Sequence, residues 1–272
     1  MLKERIGIVG LGNMGGALLR GLKKAKLISG RQVILFDKEP FRLDQMAKEL
    51  GFPKASGNRE LVQKSQGVIL AVKPQDISQV LKETAEDWRG DKFIISIAAG
   101  ITIAFIEKKV KQALGVIRAM PNTPARIGAG ITAISSNRLA DFQPKEAAKS
   151  IFRAFGEVIE VEESAMDLVT ALSGGGPAYF FLIMEALIEA GQSLGLAKIT
   201  AEKLIKETAL GAAGLAKEIP GSLSELRENV TSPGGTTEAA LEVFKKADLK
   251  KIIFQAVKAA REKAKILSLN SE

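Results

Sequence analysis

Three glycines carry the first chemical signal: Gly10, Gly12 and Gly15 in the run Gly10-Leu11-Gly12-Asn13-Met14-Gly15. The run follows Ile6-Gly7-Ile8-Val9, which reads as a buried strand, and opens an amphipathic pattern from Met14 to Lys26 that reads as a helix. In that setting Gly10 permits a tight turn, Gly12 lets a pyrophosphate approach the backbone, and Gly15 lets helix and strand pack closely. The helix N-terminus adds free N–H groups and the positive end of its dipole. Asp37 ends the next strand pattern, Val33-Ile34-Leu35-Phe36, 22 positions after Gly15. A carboxylate there accepts hydrogen bonds from the hydroxyls of an adenosine ribose. Together these residues predict a bound nicotinamide dinucleotide. Asp37 on its own charge favours NAD, whereas Lys38 and Arg42 offer a 2′-phosphate compensating charge, so NADPH and NADH both stay open.

Two later segments could hold a substrate. Asn229-Val230-Thr231-Ser232-Pro233-Gly234-Gly235-Thr236-Thr237 precedes a helical pattern and sets unpaired N–H groups beside two hydroxyls, a competent carboxylate cradle. An ordinary capped interhelical turn would use the same residue types. Leu172-Ser173-Gly174-Gly175-Gly176-Pro177-Ala178-Tyr179 precedes another long helix.

The chain contains no histidine and no cysteine. Imidazole and thiol chemistry are therefore excluded, along with histidine-dependent serine triads and His/Cys zinc sites, and no metal site is expected. The lack of cysteine fits a reducing cytoplasm. The net charge of +8 is spread among acids, as at Lys203, Lys206 and Glu207, and one Trp and one Tyr leave little surface for stacking bases. No nucleic-acid partner is expected; a basic surface attracts small anions instead. No stretch approaches the ~20 uninterrupted apolar residues of a membrane span. Met1-Leu2-Lys3-Glu4-Arg5 runs directly into the first strand, leaving no signal segment.

The elements that must position these residues fall into two patterns. Up to about Val161, short apolar runs (Val68–Val72, Phe93–Ala98, Val116–Ala119, Ile131–Ile134, Val158–Val161) alternate with helical segments such as Pro40–Leu50, Ile77–Trp88 and Ile103–Val110. This alternation predicts an α/β, Rossmann-like, doubly wound and mainly parallel sheet over residues 1–162. From Ser164 onward only helical periods occur: Ala178–Leu194, Thr200–Glu218, Thr236–Lys246 and Leu249–Ser268. Residues 163–272 are thus expected to form an all-helical domain. Ala178–Leu194 is apolar around most of its circumference, which calls for burial in that domain or in a subunit interface.

Taken in order, several segments resemble the pyrroline-5-carboxylate reductase family over nearly the whole chain. They are the glycine turn, Ala71-Val72-Lys73-Pro74-Gln75, Ser96-Ile97-Ala98-Ala99-Gly100, Arg118-Ala119-Met120-Pro121-Asn122-Thr123-Pro124, Ser173 to Tyr179, and Asn229 to Thr237. The resemblance implies reduction of Δ1-pyrroline-5-carboxylate to L-proline by hydride transfer from NAD(P)H. It implies that Ala71, Val72, Lys73 and Pro74, with Ala98, Ala99 and Gly100, flank the nicotinamide. Asn58 would lie near the adenosine side, and Gly10, Gly12, Asn13, Met14, Gly15, Asp37 and Lys38 would complete the cofactor site. Ser232, Gly234, Gly235, Thr236 and Thr237 would hold the substrate carboxylate, with the Thr237 hydroxyl near the ring nitrogen. The helical domain would form an intertwined homodimer, with Asn229 facing the cofactor across the interface and dimers assembling into larger rings. This chain departs from the family in having Gly175 where a serine is frequent, so no ligand role is given to that position.

Two rivals stand beside this reading. A 3-hydroxyacid dehydrogenase also pairs a glycine-turn domain with a helical one, but would place a catalytic lysine where Ala178-Tyr179-Phe180-Phe181-Leu182 is apolar. A non-catalytic dinucleotide sensor would have no use for the cradle at Ser232 to Thr237.

Overall fold

The structure, a computed structural model, describes residues 4–28, 30 and 32–269. Met1 to Lys3, read above as leading straight into the first strand, lie outside the described residues. Seven strands form one sheet: β1 (Ile6–Val9), β2 (Val33–Phe36), β3 (Gly67–Leu70), β4 (Phe93–Ser96), β5 (Gly115–Pro121), β6 (Gly130–Ser136) and β7 (Gly156–Glu160). Their order is β2-β1-β3-β4-β5-β6-β7. Every pairing is parallel except β5 with β6, so the sheet is mainly parallel and Rossmann-like, as expected.

Strand side chains alternate between the faces with period two. On one face Ile6, Ile8, Ile69, Ile95 and Ile117 meet α1 (Asn13–Lys24), α2 (Pro40–Leu50) and, further along the chain, α6 (Phe142–Arg153). On the other, Val9, Val68, Leu70, Ile94 and Val116 meet α3 (Asn58–Gln63), α4 (Pro74–Glu83) and α5 (Ile103–Val110). Burial on both faces explains why these strands are nearly all apolar.

Helices follow to the end of the described chain: α7 (Met166–Val169), α8 (Gly176–Ser193), α9 (Lys198–Glu218), α10 (Leu223–Asn229), α11 (Thr236–Lys246) and α12 (Leu249–Leu269). A π-helical turn, Thr170–Gly174, lies between α7 and α8. By contacts the chain forms two compact units. One comprises residues 1–175 with 259–272; the other comprises residues 176–258. In the second unit α8 packs on α9 yet leaves Phe180 72% and Phe181 58% exposed. Among the described residues, Glu163–Ser193 is the one helical run long and apolar enough to cross a membrane, with a mean hydropathy of 1.4 over an 18-residue window. Glu185 and Glu189 interrupt it.

In the first unit, the C-terminal turn of α12 is tied back to the sheet. Arg118 on β5, 4% exposed in its side chain, pairs with Glu163 at 3.0 Å and Asp167 at 3.1 Å. Asp167 also accepts the Ser268 hydroxyl at 3.1 Å. Leu267 packs over Gly100, whose φ of +77° requires glycine and whose Cβ position lies 3.0 Å from the Leu267 side chain.

Candidate functional site

The strand order reverses direction beside β1, with β2 on one side and β3 on the other. Ligands of open α/β sheets bind outside the strand C-termini at such a point. A cleft of about 590 Å³ opens there, lined by Gly10, Gly12, Asn13, Asp37, Lys38, Asn58, Ala71, Val72 and Lys73 among others. The structure thus brings together most of the residues expected to bind a dinucleotide. Met14, Gly15, Pro74, Ala98, Ala99 and Gly100 are not in that lining. Gly15 acts from behind, against the Gly10 carbonyl, and Gly100 lies beneath α12.

The glycine turn has the geometry its sequence implies. Gly10 sits at φ +92°, which a side chain disfavours, and a Cβ there would press within 2.8 Å of the Ala71 backbone. Gly12 caps α1 in extended conformation, with nothing within 4 Å of its Cβ position. No side chain caps α1, so its first N–H groups stay available to an anion.

Asp37 lines the cleft at the end of β2, and its carboxylate is engaged by the protein. Its Oδ2 accepts the Leu11 N–H at 2.6 Å and its Oδ1 accepts the Glu39 N–H at 2.8 Å. Arg42 Nη1 lies 3.3 and 3.2 Å from the two oxygens. The carboxylate assigned to the ribose is therefore bracing the turn. Lys38 reaches across to Asp76 on α4 at 3.0 Å.

Asn58 stands at the start of α3 and donates to Glu83 Oε2 at 2.7 Å. Its Oδ1 is buried without a hydrogen-bond partner. A buried, unpaired acceptor is costly unless a ligand donor completes it, so this atom fits a hydroxyl or amino group of the adenosine. The position of α3 is itself held from behind. Arg59 Nε donates to Asp87 at 2.8 Å and Gln63 to the same carboxylate at 2.7 Å. The Arg59 hydrogen bond is the main cause holding the Asp87 carboxyl below its usual range, with Gln63 adding to it and burial opposing. Lys92 caps the C-terminal end of α3 by donating to the Val62 carbonyl at 2.8 Å, and burial pushes its ammonium pKa down.

Sequence reasoning missed one wall of the cleft. Gln75, Gln79 and Glu83 line it from α4, spaced four residues apart on one helix face. That polar stripe beside the apolar Ile77, Val80 and Leu81 is the signal that would have found it.

The expected carboxylate cradle lies in the second unit, at the N-terminus of α11. Gly234 adopts φ +71°, and Gly235 donates to the Ser232 carbonyl at 3.0 Å. Gly235 caps the helix without a side-chain bond. The Gly234 N–H is taken by Glu238 at 2.7 Å. The N–H groups of Thr236, Thr237 and Glu238 occupy the first helical positions, which have no intrahelical acceptor. Asn229 is the exposed last residue of α10. In the first unit, Asn122 donates to the Ser173 hydroxyl at 3.4 Å and accepts from the Ile131 N–H at 3.0 Å. Ser173 is thereby tied to the end of β5. Among the described residues no cluster of metal-ligating side chains occurs.

Residues 163–267 match the family model for pyrroline-5-carboxylate reductase dimerisation, and residues 5–100 match that for NADP oxidoreductases, coenzyme F420-dependent. The chain is 39% identical to the pyrroline-5-carboxylate reductase of Synechocystis sp. over 97% of its own length and 98% of that protein's. A solved pyrroline-5-carboxylate reductase from Coxiella burnetii is 40% identical, with a TM-score of 0.91 over 97% of this chain and 98% of that one. The Plasmodium falciparum pyrroline carboxylate reductase, solved with NADP bound, is 32% identical, with a TM-score of 0.89 over 98% of this chain and 99% of that one. Likeness of this degree along nearly the whole of each chain makes the protein a member of the pyrroline-5-carboxylate reductase family.

Proposed function

We propose that the cleft at the glycine turn and the cradle at Ser232 to Thr237 are the two halves of an imine-reduction site. The chain is an NAD(P)H-dependent oxidoreductase that reduces Δ1-pyrroline-5-carboxylate to L-proline, the last step of proline biosynthesis. The observation that carries this reading is full-length similarity to pyrroline-5-carboxylate reductases in a chain whose glycine turn opens on a cleft.

The dinucleotide, when bound, supplies the hydride that adds to the imine carbon and is left oxidised. The chain's own residues hold and orient. The open space at Gly12 and the free N–H groups of α1 receive the pyrophosphate, and Asn58 Oδ1 receives an adenosine donor. Ala71 to Pro74 and Ala98 to Gly100 are assigned to the nicotinamide side, and Gly15 keeps α1 close to the turn. Ser232 and the backbone from Gly234 to Thr237 bind the substrate carboxylate, with Glu238 bracing the Gly234 N–H. Thr237 orients the ring nitrogen. An iminium arrives already protonated from water, so a chain without histidine or cysteine needs no acid of neutral pKa, and its contribution is mainly positioning.

The protein oligomerises through its helical part. We assign the 163–272 region to a homodimer in which each cradle and Asn229 serve the partner's cofactor, with dimers assembling into rings. This reading has a cytoplasmic enzyme and includes neither nucleic acid nor a membrane.

The test is oxidation of NADPH and NADH followed by absorbance, with and without pyrroline-5-carboxylate. Imine-dependent oxidation with proline as product is expected. Dinucleotide binding with no imine-dependent oxidation would sink the enzymatic reading.

A further inference from the structure

We propose that Glu163 and Ser268 are positioning residues for the reaction, which fix the turn from Ala98 to Gly100 against the nicotinamide. The proposal rests on the assignment of that turn above and deepens it.

The turn joins β4 to α5 and has little to hold it from within. The Ala98 N–H donates to the Ser96 hydroxyl at 3.4 Å, and the Ile101 N–H to the Ala98 carbonyl at 3.4 Å. Both bonds are long and correspondingly weak. Gly100, at φ +77°, brings no side chain to pack. The turn therefore takes its shape from its surroundings.

Support reaches it from two directions. On the α5 side, Glu163 Oε1 accepts the N–H of Ile103, the first residue of that helix, at 3.2 Å. An N–H at that position has no intrahelical acceptor, so Glu163 pins the exit of the turn. On the other side α12 ends on the turn itself. A Cβ on Gly100 would stand 3.0 Å from Leu267 Cβ, 3.1 Å from the Leu267 carbonyl carbon and 3.3 Å from the Ser268 nitrogen. The glycine thus lets backbone meet backbone, with no flexible side-chain tip between them to absorb a displacement. Ser268 is buried, and its hydroxyl lies 3.1 Å from Asp167 Oδ1 and 3.2 Å from the Ala264 carbonyl.

Arg118 joins the two supports. Its Nη1 donates to Glu163 at 3.0 Å and its Nη2 to Asp167 at 3.1 Å. A planar guanidinium fixes the spacing of its acceptors, and hence that between the start of α5 and the last turn of α12. Glu163 makes both of its bonds through Oε1, and its Oε2 is buried without a partner. An unpaired buried oxygen lowers stability, so the residue is poorly explained as a stabiliser alone. Placing the turn accounts for it, because the rate of hydride transfer falls steeply when donor and acceptor are misplaced.

Paired variants of the full chain test this. Glu163→Ala and Ser268→Ala remove the supports, whereas Glu163→Gln keeps an acceptor and Ser268→Thr keeps the hydroxyl. Each alanine variant is expected to lose kcat about tenfold or more. Each should bind ADP-ribose, which lacks the nicotinamide, within about twofold of the parent. The fluorescence emission of bound NADPH, which reads the nicotinamide's setting without substrate, should move toward that of free NADPH. The conservative variants should recover most of both signals. Unchanged kcat and unchanged emission in the alanine variants overturn the proposal. Loss of ADP-ribose affinity in step with kcat, as a generally loosened fold would give, overturns it too. Should Glu163→Ala fail to fold, Ser268→Ala decides by the same readings. An unmodified protein that binds NADPH without reducing the imine would remove the reaction assigned above, and the emission of the variants would still decide this proposal.

Discussion

The carbonyl oxygen of Gly10 lies 2.1 Å from the point where a Cβ on Gly15 would stand. The obstacle is backbone, and the turn that carries it is also pinned by Asp37, so it cannot swing aside. Gly12, three residues earlier in the same motif, has open space at the equivalent point. The two glycines therefore fail in different ways. Gly15→Ala is expected to lower Tm sharply and remove dinucleotide binding. Gly12→Ala should keep a Tm within a degree or two of the parent while weakening dinucleotide binding on the order of tenfold or more, since its methyl fills the space for the pyrophosphate. Differential scanning calorimetry paired with titration of NADP⁺ separates them; equal loss of Tm in both variants would contradict the distinction.

Arg118 should prove a structural keystone. Truncating it leaves Glu163 and Asp167 facing an emptied pocket, and breaking a buried ion pair from one side costs about 3 kcal/mol or more. Arg118→Met is therefore expected to lower Tm by roughly 6–12 °C. Asp167→Asn, which keeps an oxygen for Arg118 and for Ser268, should cost distinctly less. Thermal melts of the two variants give the comparison.

The Asp87 carboxylate supplies a pH signature. Its folded-state pKa is depressed, chiefly by Arg59, so the folded state binds fewer protons than the unfolded one below the ordinary value of 3.8. Its contribution is complete above that value and is lost as pH falls through the lowered pKa. Asp87→Asn should thus lower Tm by roughly 2–4 °C at neutral pH, and the gap to the parent should narrow on acidification below 3.8. A gap that stays constant between neutral and strongly acidic pH would refute this.

Thr237→Ala should reduce kcat by about tenfold without abolishing it, the worth of one oriented hydrogen bond. Steady-state kinetics with saturating NADPH would show the effect; unchanged kcat and KM would mean the ring nitrogen lies elsewhere.

The exposed apolar face of α8 predicts its own cover. Phe180 and Phe181, 72% and 58% exposed, are large surfaces to leave in water. Phe181→Glu is expected to shift the protein toward monomer in size-exclusion chromatography with light scattering, whereas Phe41→Glu, on α2 in the first unit, should not.

Much of this architecture was legible because local chemistry and global fold agree. Pro40 starts α2 and Gly51, at φ +72°, ends it; Thr102 caps α5 by accepting the Phe105 N–H at 3.1 Å. The helix bounds read from sequence at Pro40–Leu50 and Ile103–Val110 match those observed. Helix α10 escaped notice because seven residues show little apolar period, although Ser222 and Glu225 form a full capping box before it. Asp37 marks a subtler limit. Its type and place at a strand end are visible in the chain, but its hydrogen bond to Leu11 depends on how a turn 26 residues away presents its N–H. Pairing partners of that kind belong to the fold and not to the motif.

The return of α12 to the first unit bears on how the protein can be made. The sheet-bearing unit recruits residues from 259 onward, and Ser268 meets Asp167 across 101 positions. During synthesis the glycine turn and all seven strands emerge long before the segment that covers Gly100 and completes the Arg118 clasp. A nascent chain can pair its strands early, but this patch stays uncovered until residues 259–269 have been made. Ribosome-bound chains arrested before residue 259 should accordingly expose Gly100 and Glu163 to protease that the released protein resists.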